Sequence, residues 1–316
     1  MQIELHRHLE ASIRLSTLLE YAQAEGFEAQ STSLEAFREK VVLRKPVNSL
    51  HEFLARFDLL QKVLTRPEYI TRMTTEALED CAQEGTQGVE FRYSPSFLSE
   101  RSHLDWKIVL EAIEKGIHEG LQRLPSMKTG LICIASRDYG EEGVDQTVEF
   151  FLRHQSSFIG LDLAGNEDQF PCRLFTHSFK KAIQAQAKIT IHAGEASGPE
   201  NMWEAIDLLG AQRIGHGIAC IQDLQLIEHL KQKQICLEVC PTSNFLTQTV
   251  KTLEYHPIRK ILRHGVSTSI NTDDPLFCGI GLDTELNLCK NHLQLTSEDL
   301  MECENYAKKA SFIRDL

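Results

Sequence analysis

Eight short apolar runs punctuate the chain, and their spacing restricts the fold more than any other feature. They are "IELHRH" (3–8), "VEFRYSP" (89–95), "TGLICIAS" (129–136), "FIGLDLAG" (158–165), "KITIHAGE" (188–195), "RIGHGI" (213–218), "ICLEVCPTSN" (235–244) and "VSTSINTDDP" (266–275). Each is followed by polar or glycine residues and then by a longer helical stretch. The last six begin 22 to 31 residues apart, a spacing that suits strand–helix units. Near-continuous apolar character is expected of strands covered on both faces, as in a parallel sheet. Eight such units in 316 residues predict an α/β fold of the (β/α)8 TIM-barrel type.

The first gap is too long for one crossover. Residues 12–86 must hold several helices, which predicts a single 1–316 domain with a helical insertion after its first strand. Within that insertion, "SLHEFLARFDLLQKVL" (49–64) spaces Leu50, Phe53, Leu54, Phe57 and Leu60 along one helical face.

A net charge of -12 disfavours a broad nucleic-acid or anionic-membrane surface, but not an uncharged nucleoside. No run of eighteen apolar residues occurs, and a strand is expected within three residues of Met1, so no signal peptide is expected. The nine cysteines form no C-x-x-C pair and read as buried thiols in a reducing compartment, so a cytoplasmic protein is expected. The oligomeric state is open, and a monomer is compatible with the sequence.

Polar side chains cluster at one end of the runs. His6 and His8 alternate with Arg7, so on a strand both imidazoles project from one side and could close on one metal ion if the backbone bends. His192 and Glu195 end the fifth run, His216 the sixth, and Asp273 and Asp274 the eighth. In barrel enzymes the C-terminal ends of the strands build the active site. Imidazoles and carboxylates gathered there suit zinc binding and proton transfer.

Taken together, "ELHRHLE", "SLHEFLARFD", "VEFRYSP", "LDLAGNE", "HAGE", "RIGHG", "CPTSN" and "STSINTDDPL" resemble the adenosine deaminase family, a zinc-dependent branch of the amidohydrolase superfamily. The resemblance covers nearly the whole chain, in family order. It implies one Zn2+ per chain, held by His6, His8, His192 and Asp273. Glu195 resembles the proton donor to purine N1. His216 resembles the residue that orients the attacking water and, with Asp273, manages its proton. Gly165 would offer a backbone N–H to N3, and Asp274 would face N7, which requires a bend at Asp273–Asp274–Pro275. His8 and Glu10 would face the substrate, and Leu50, Phe53, Leu54 and Phe57 would line a lid over the ribose.

Three positions depart from the family pattern. Glu10 stands where an Asp associated with the ribose 5′-hydroxyl is usual, Ala11 replaces a common Gly, and Asn166 replaces a common Asp. The implied partner is a small-molecule purine nucleoside, and the implied reaction is deamination of adenosine and 2′-deoxyadenosine to inosine and deoxyinosine. Adenine or aminodeoxyfutalosine is the alternative substrate.

Overall fold

The computed structural model describes residues 2–48 and 50–314; the side chains of Leu50 and His51 lie outside the described set. Among the described residues, eight parallel strands follow one another. They are β1 (Ile3–His8), β2 (Gly88–Tyr93), β3 (Lys128–Ser136), β4 (Gly160–Ala164), β5 (Thr190–Ala193), β6 (Arg213–His216), β7 (Cys236–Val239) and β8 (Thr268–Ile270). They form two four-stranded sheets, β1 to β4 and β5 to β8, each in sequence order. Parallel bridges join the sheets at both seams, Leu161 to Ile189 and Arg7 to Asp273. At the second seam the His8 amide donates to the Asp273 carbonyl (2.8 Å) and the Asp273 amide to that of His6 (3.1 Å). The sheets thus curl into the (β/α)8 barrel that the spacing predicts.

Alternation along the strands explains the mixed composition of the runs. In β2, Val89, Phe91 and Tyr93 join the hydrophobic core, while Glu90 and Arg92 bond across the barrel interior. Inside, Arg92 pairs with Asp162 (2.8 Å) and Glu238 (2.7 Å), and Arg213 with Glu90 (2.7 Å) and Glu238 (2.7 Å). All of these residues are buried. Charges at such depth persist only when paired, so each inward charge commits a strand across the barrel, or beside it, to the opposite sign.

Between β1 and β2 lie α1 (Leu15–Ala24), α2 (Leu34–Val41), α3 (Leu50–Leu54), α4 (Asp58–Val63) and α5 (Pro67–Gln83). The sequence predicts one helix over 49–64. Instead, α3 and α4 are separated by a 3-10 turn at Ala55–Phe57, and Ser49 lies outside the described residues. The apolar stripe survives the break because the turn tightens the helix without reversing it. Phe53 packs edge-on against Phe57 and Phe277, with ring centroids 6.2 and 6.0 Å away.

Six of the eight strands end before their apolar runs do. Glu195 lies in the loop after β5, and Asp273 and Asp274 lie beyond β8. All nine cysteines are buried and unpaired, as expected. Among the described residues no helix is long and apolar enough to cross a membrane.

Candidate active site

The C-terminal ends of β1, β5 and β6 and the loop after β8 bring four imidazoles and three carboxylates together. The register between β1 and β2 shifts between Glu4 and Arg7, which supplies the irregularity that the His6/His8 pair needs. His6 Nε2 and His8 Nε2 lie 3.1 and 3.2 Å from Asp273 Oδ1. His192 Nε2 lies 3.3 Å from His8 Nε2, and His216 Nε2 lies 3.8 Å from Asp273 Oδ2. Ligand atoms of His6, His192, His216 and Asp273 all fall within 4.8 Å of one another, as do those of His8, Asp273 and Asp274.

Two backbone features not evident from strand parity make this convergence possible. Gly215 faces the barrel interior, where a Cβ would stand 3.1 Å from His6 Cε1 and 3.2 Å from His192 Cα. On a regular strand its neighbour His216 would point away, but His216 has φ 58° and Asp273 has φ 64°. Left-handed backbone at non-glycine residues is costly and clusters at functional sites. At Asp273 it provides the expected bend, so that Asp273 and Asp274 both reach the centre.

Carboxylates behind the rings set their orientation. His6 Nδ1 donates to Glu238 Oε2 (2.9 Å), and His192 Nδ1 donates to Asp162 Oδ1 (3.1 Å). Each ring's hydrogen is thereby drawn to Nδ1, leaving the Nε2 lone pair facing the cluster. Burial lowers the pKa of His6 and pushes that of His192 down to about 3, so both rings are neutral. His6 Nε2 is buried and makes no hydrogen bond. An orphaned nitrogen among neutral imidazoles and a carboxylate fits a borderline cation such as zinc. His8 differs: burial opposes its charge, but Asp274 and Asp273 outweigh that and raise its pKa to about 9.

The acids divide into distinct states. Burial raises the pKa of Glu195 to about 7, with Asp273 and Glu167 adding to the effect against His216. Asp273 resists burial because the His6 and His8 imidazoles hold its carboxyl well below the usual range. Asp274 is pushed well above it by burial and by the adjacent Asp273 charge. One ionised and one protonated carboxyl therefore stand side by side.

Several adjoining spaces open from the centre, one of them, about 930 Å³, running past Glu195 and Thr247 with Lys251 and Lys260 in its lining. A cavity of about 60 Å³ is bounded by Phe53, Leu54, Phe57, Gly165, Glu195 and Asp274, among others. It shares His8, Leu54, Phe57 and Gly165 with an outer cleft of about 400 Å³ that also meets Glu10. Glu10 Oε1 accepts from the Ser94 amide (3.1 Å), while its Oε2 is buried without a partner. Among the described residues, the outer cleft has no lysine or arginine in its lining and is lined by the carboxylates of Glu10, Glu100 and Asp138. Gly165 has φ 105°, and a Cβ there would lie 2.1 Å from Asp138 Oδ2. Phe53, expected to line the lid, is also a core residue at 2% exposure, whereas Leu54 and Phe57 are half-buried. The expectation for Leu50 concerns a side chain outside the described residues.

A model of the adenosine deaminase family matches residues 2–315. An adenosine deaminase of Yersinia enterocolitica is 37% identical over 312 residues, spanning 99% of this chain and 94% of the relative.

The chain belongs to the adenosine deaminase family.

Among solved structures, adenine deaminase from Arthrobacter aurescens superposes with a TM-score of 0.91 at 25% identity, over 99% of this chain and 94% of that one. An amidohydrolase from Burkholderia ambifaria with bound Zn gives 0.89 at 25% identity, over 99% and 86%.

The supports of this site carry no signal in the local sequence pattern. Glu167 accepts from the amides of Gly194 (2.9 Å), Glu195 (2.7 Å) and Ser197 (3.0 Å) and from that of Ala196. It also accepts from Ser197 Oγ (2.9 Å) and Asn201 Nδ2 (2.7 Å), so one carboxylate pins the loop that carries Glu195. Asp162 and Glu238 were legible as charges inside apolar runs, but their partners were not.

Proposed function

We propose that this protein is a zinc-dependent adenosine deaminase that hydrolyses adenosine and 2′-deoxyadenosine to inosine and deoxyinosine with release of ammonia. The observation that carries the proposal is a carboxyl group, Glu195, with a pKa near neutrality, beside a cluster of imidazoles and Asp273 that suits a metal. Purine C6 is a poor electrophile until N1 accepts a hydrogen, so the acid must enter the reaction protonated.

His6, His8, His192 and Asp273 would hold one zinc ion, which supplies a Lewis acid that lowers the pKa of water. Glu195 donates to N1, held in place by Glu167 and by the Thr247 hydroxyl, which donates to Glu195 Oε1 (3.3 Å). Asp274, protonated by burial and by its neighbour, can donate to N7, which only accepts. The N–H of Gly165 faces N3, with the purine edge allowed close because no Cβ intervenes. His216 and Asp273 flank the attacking water. Asp273 takes one hydrogen of that water as its oxygen bonds to C6; the amino group takes that hydrogen and leaves as ammonia as the C6–N bond breaks, and the remaining O–H proton returns to Glu195, giving the C6 carbonyl. Leu54 and Phe57 screen the centre from bulk water.

The outer cleft favours a nucleoside over a nucleotide, because Glu10, Glu100 and Asp138 would repel a phosphate and, among the described residues, no lysine or arginine lines it. The partnerless Glu10 Oε2 offers an acceptor for a sugar hydroxyl. A panel assay of ammonia release from adenosine, deoxyadenosine, adenine, adenosine monophosphate and aminodeoxyfutalosine tests the reading. We expect the highest kcat/KM with adenosine and deoxyadenosine. A preference for any other member would overturn the substrate assignment, and adenine would then make Glu10 the marker of a base-specific pocket. Metal analysis of the purified protein is expected to give one zinc per chain. A single domain spanning 1–316, with α1 to α5 as its insertion, accords with this site, since α3 and the strands build it jointly.

A further inference from the structure

The hydrogen bonds behind His216 have a direction, and it originates at a backbone amide. Pro257 has no N–H, so the first amide of the helix Ile258–Arg263 is that of Ile258. It donates to His256 Nδ1 at 3.2 Å. A backbone amide cannot accept, so Nδ1 of His256 is unprotonated and the ring hydrogen resides on Nε2. His256 Nε2 faces Asn244 Oδ1 at 3.3 Å and must donate to it. That fixes the orientation of the Asn244 amide, whose Nδ2 then donates to His216 Nδ1 at 3.0 Å. With Nδ1 accepting, the hydrogen of the His216 ring belongs on Nε2.

Reversing the chain fails at its origin. If Asn244 presented its oxygen to His216, its nitrogen would donate to His256 Nε2. The His256 ring would then accept at both nitrogens and carry no hydrogen at all. All three side chains are buried, so water is not at hand to relax the pattern. Burial, reinforced by His216, pushes the pKa of His256 down to about 3, so that ring does not gain a second hydrogen.

We propose that His256 and Asn244 are positioning residues that lock His216 in its Nε2–H tautomer, making His216 a hydrogen-bond donor in the site and neither a metal ligand nor a proton acceptor. Two overlapping sets of metal-ligating groups are geometrically open, one containing His216 and one containing His8. A hydrogen on His216 Nε2 removes the lone pair that a metal needs, and His8, on giving up its own proton, completes the set with His6, His192 and Asp273. The locked hydrogen points toward Glu195 Oε2, 3.5 Å away, and Asp273 Oδ2, 3.8 Å away. The resemblance to the family implied that His216 helps deprotonate water. The lock reserves that role for Asp273 and leaves His216 to orient the oxygen. The tautomer rests on hydrogen-bond geometry, whereas its consequence for turnover rests on the deaminase reading.

Protein labelled with 15N-histidine, prepared without metal and with one equivalent of zinc, tests the proposal by long-range 1H–15N correlation. The expected spectrum of His216 shows a protonated Nε2 and an unprotonated Nδ1 in both samples. In Asn244→Asp the new carboxylate demands a hydrogen from Nδ1, so the protonated nitrogen is expected to switch. Its kcat should then fall by about 10–100-fold, with KM for adenosine and zinc content nearly unchanged. A hydrogen on Nδ1 in the wild-type spectrum, or loss of the Nε2 hydrogen on adding zinc, would overturn the lock. So would a folded Asn244→Asp with an unchanged spectrum. If that variant does not fold, the two wild-type spectra still decide. Failure of the deaminase reading would appear separately, as absence of ammonia release with the His216 spectrum as expected.

Discussion

Glu195 and His192 stand three residues apart, yet the chemistry assigned to them is separable. Glu195→Gln keeps the shape and the Glu167 contacts to the loop but has no acidic hydrogen. It is expected to retain zinc and lose about 10²–10⁴ in kcat. Full turnover by a zinc-replete Glu195→Gln protein would move the proton donor elsewhere. His192→Ala removes a ring already oriented by Asp162 and is expected to lose metal and activity together. Full zinc in that variant, by elemental analysis, would remove His192 from the ligand set. Because Glu195 acts protonated and its pKa lies near 7, kcat/KM should be level on the acid side of that limb and fall as pH rises through about 7. A profile that rises across that range would require an ionised Glu195.

At the level of elements, α3 joins the core to the cleft, and its two sides respond differently to truncation. Phe53→Ala removes a ring at 2% exposure that packs against Phe57 and Phe277, and is expected to cost about 3–5 kcal/mol. Leu54→Ala, on the half-buried side facing the substrate cavity, should raise KM for adenosine with little change in melting temperature. Equal destabilisation by both would make the whole helix core. The short helix Pro241–Leu246 offers a pH test, because the Thr242 amide donates to buried Glu285 at 2.7 Å. Burial lifts the pKa of Glu285 to about 7, against 4.5 as the ordinary value. The folded chain thus holds a proton that the unfolded chain releases in that interval. This contribution is present below about 4.5 and is lost as pH rises to about 7. Glu285→Gln should flatten that loss, as read by urea unfolding at pH 5 and pH 8. Identical slopes in the two proteins would exclude Glu285 as its source.

For the molecule as a whole, the barrel interior is a ladder of paired charges with the candidate site at one end and the C-terminal segment at the other. Arg213 stacks over Phe312 at 3.7 Å and donates to the Ala310 carbonyl at 3.0 Å. The Phe312 amide and Ser311 hydroxyl donate to Glu90. Phe312→Ala should therefore lower stability by on the order of 2 kcal/mol through lost packing and lost cation–π contact. Since Phe312 lies apart from the catalytic rim, kcat/KM at 25 °C should be unchanged. A loss of activity without a loss of stability would mean that the charge ladder conveys changes to the site.

The barrel and most of its rim were legible because both depend on local pattern. Strand-length apolar runs, helical spacing between them and polar residues at the run ends are features of neighbouring residues, and they located His6, His8, His192, Glu195, His216, Asp273 and Asp274. The break between α3 and α4 was not legible, since the apolar face is the same whether or not the helix tightens into a 3-10 turn. Nor was the aim of individual side chains. Strand parity would turn His216 outward, and only the left-handed backbone at His216 and Asp273, with the space left by Gly215, brings both groups inward. Which carboxyl is ionised, which ring nitrogen carries hydrogen and which acid pins the Glu195 loop were decided by tertiary structure. Those properties depend on burial and on partners tens to hundreds of residues away, such as Glu238 for His6 and Asn244 for His216, and no local periodicity encodes them.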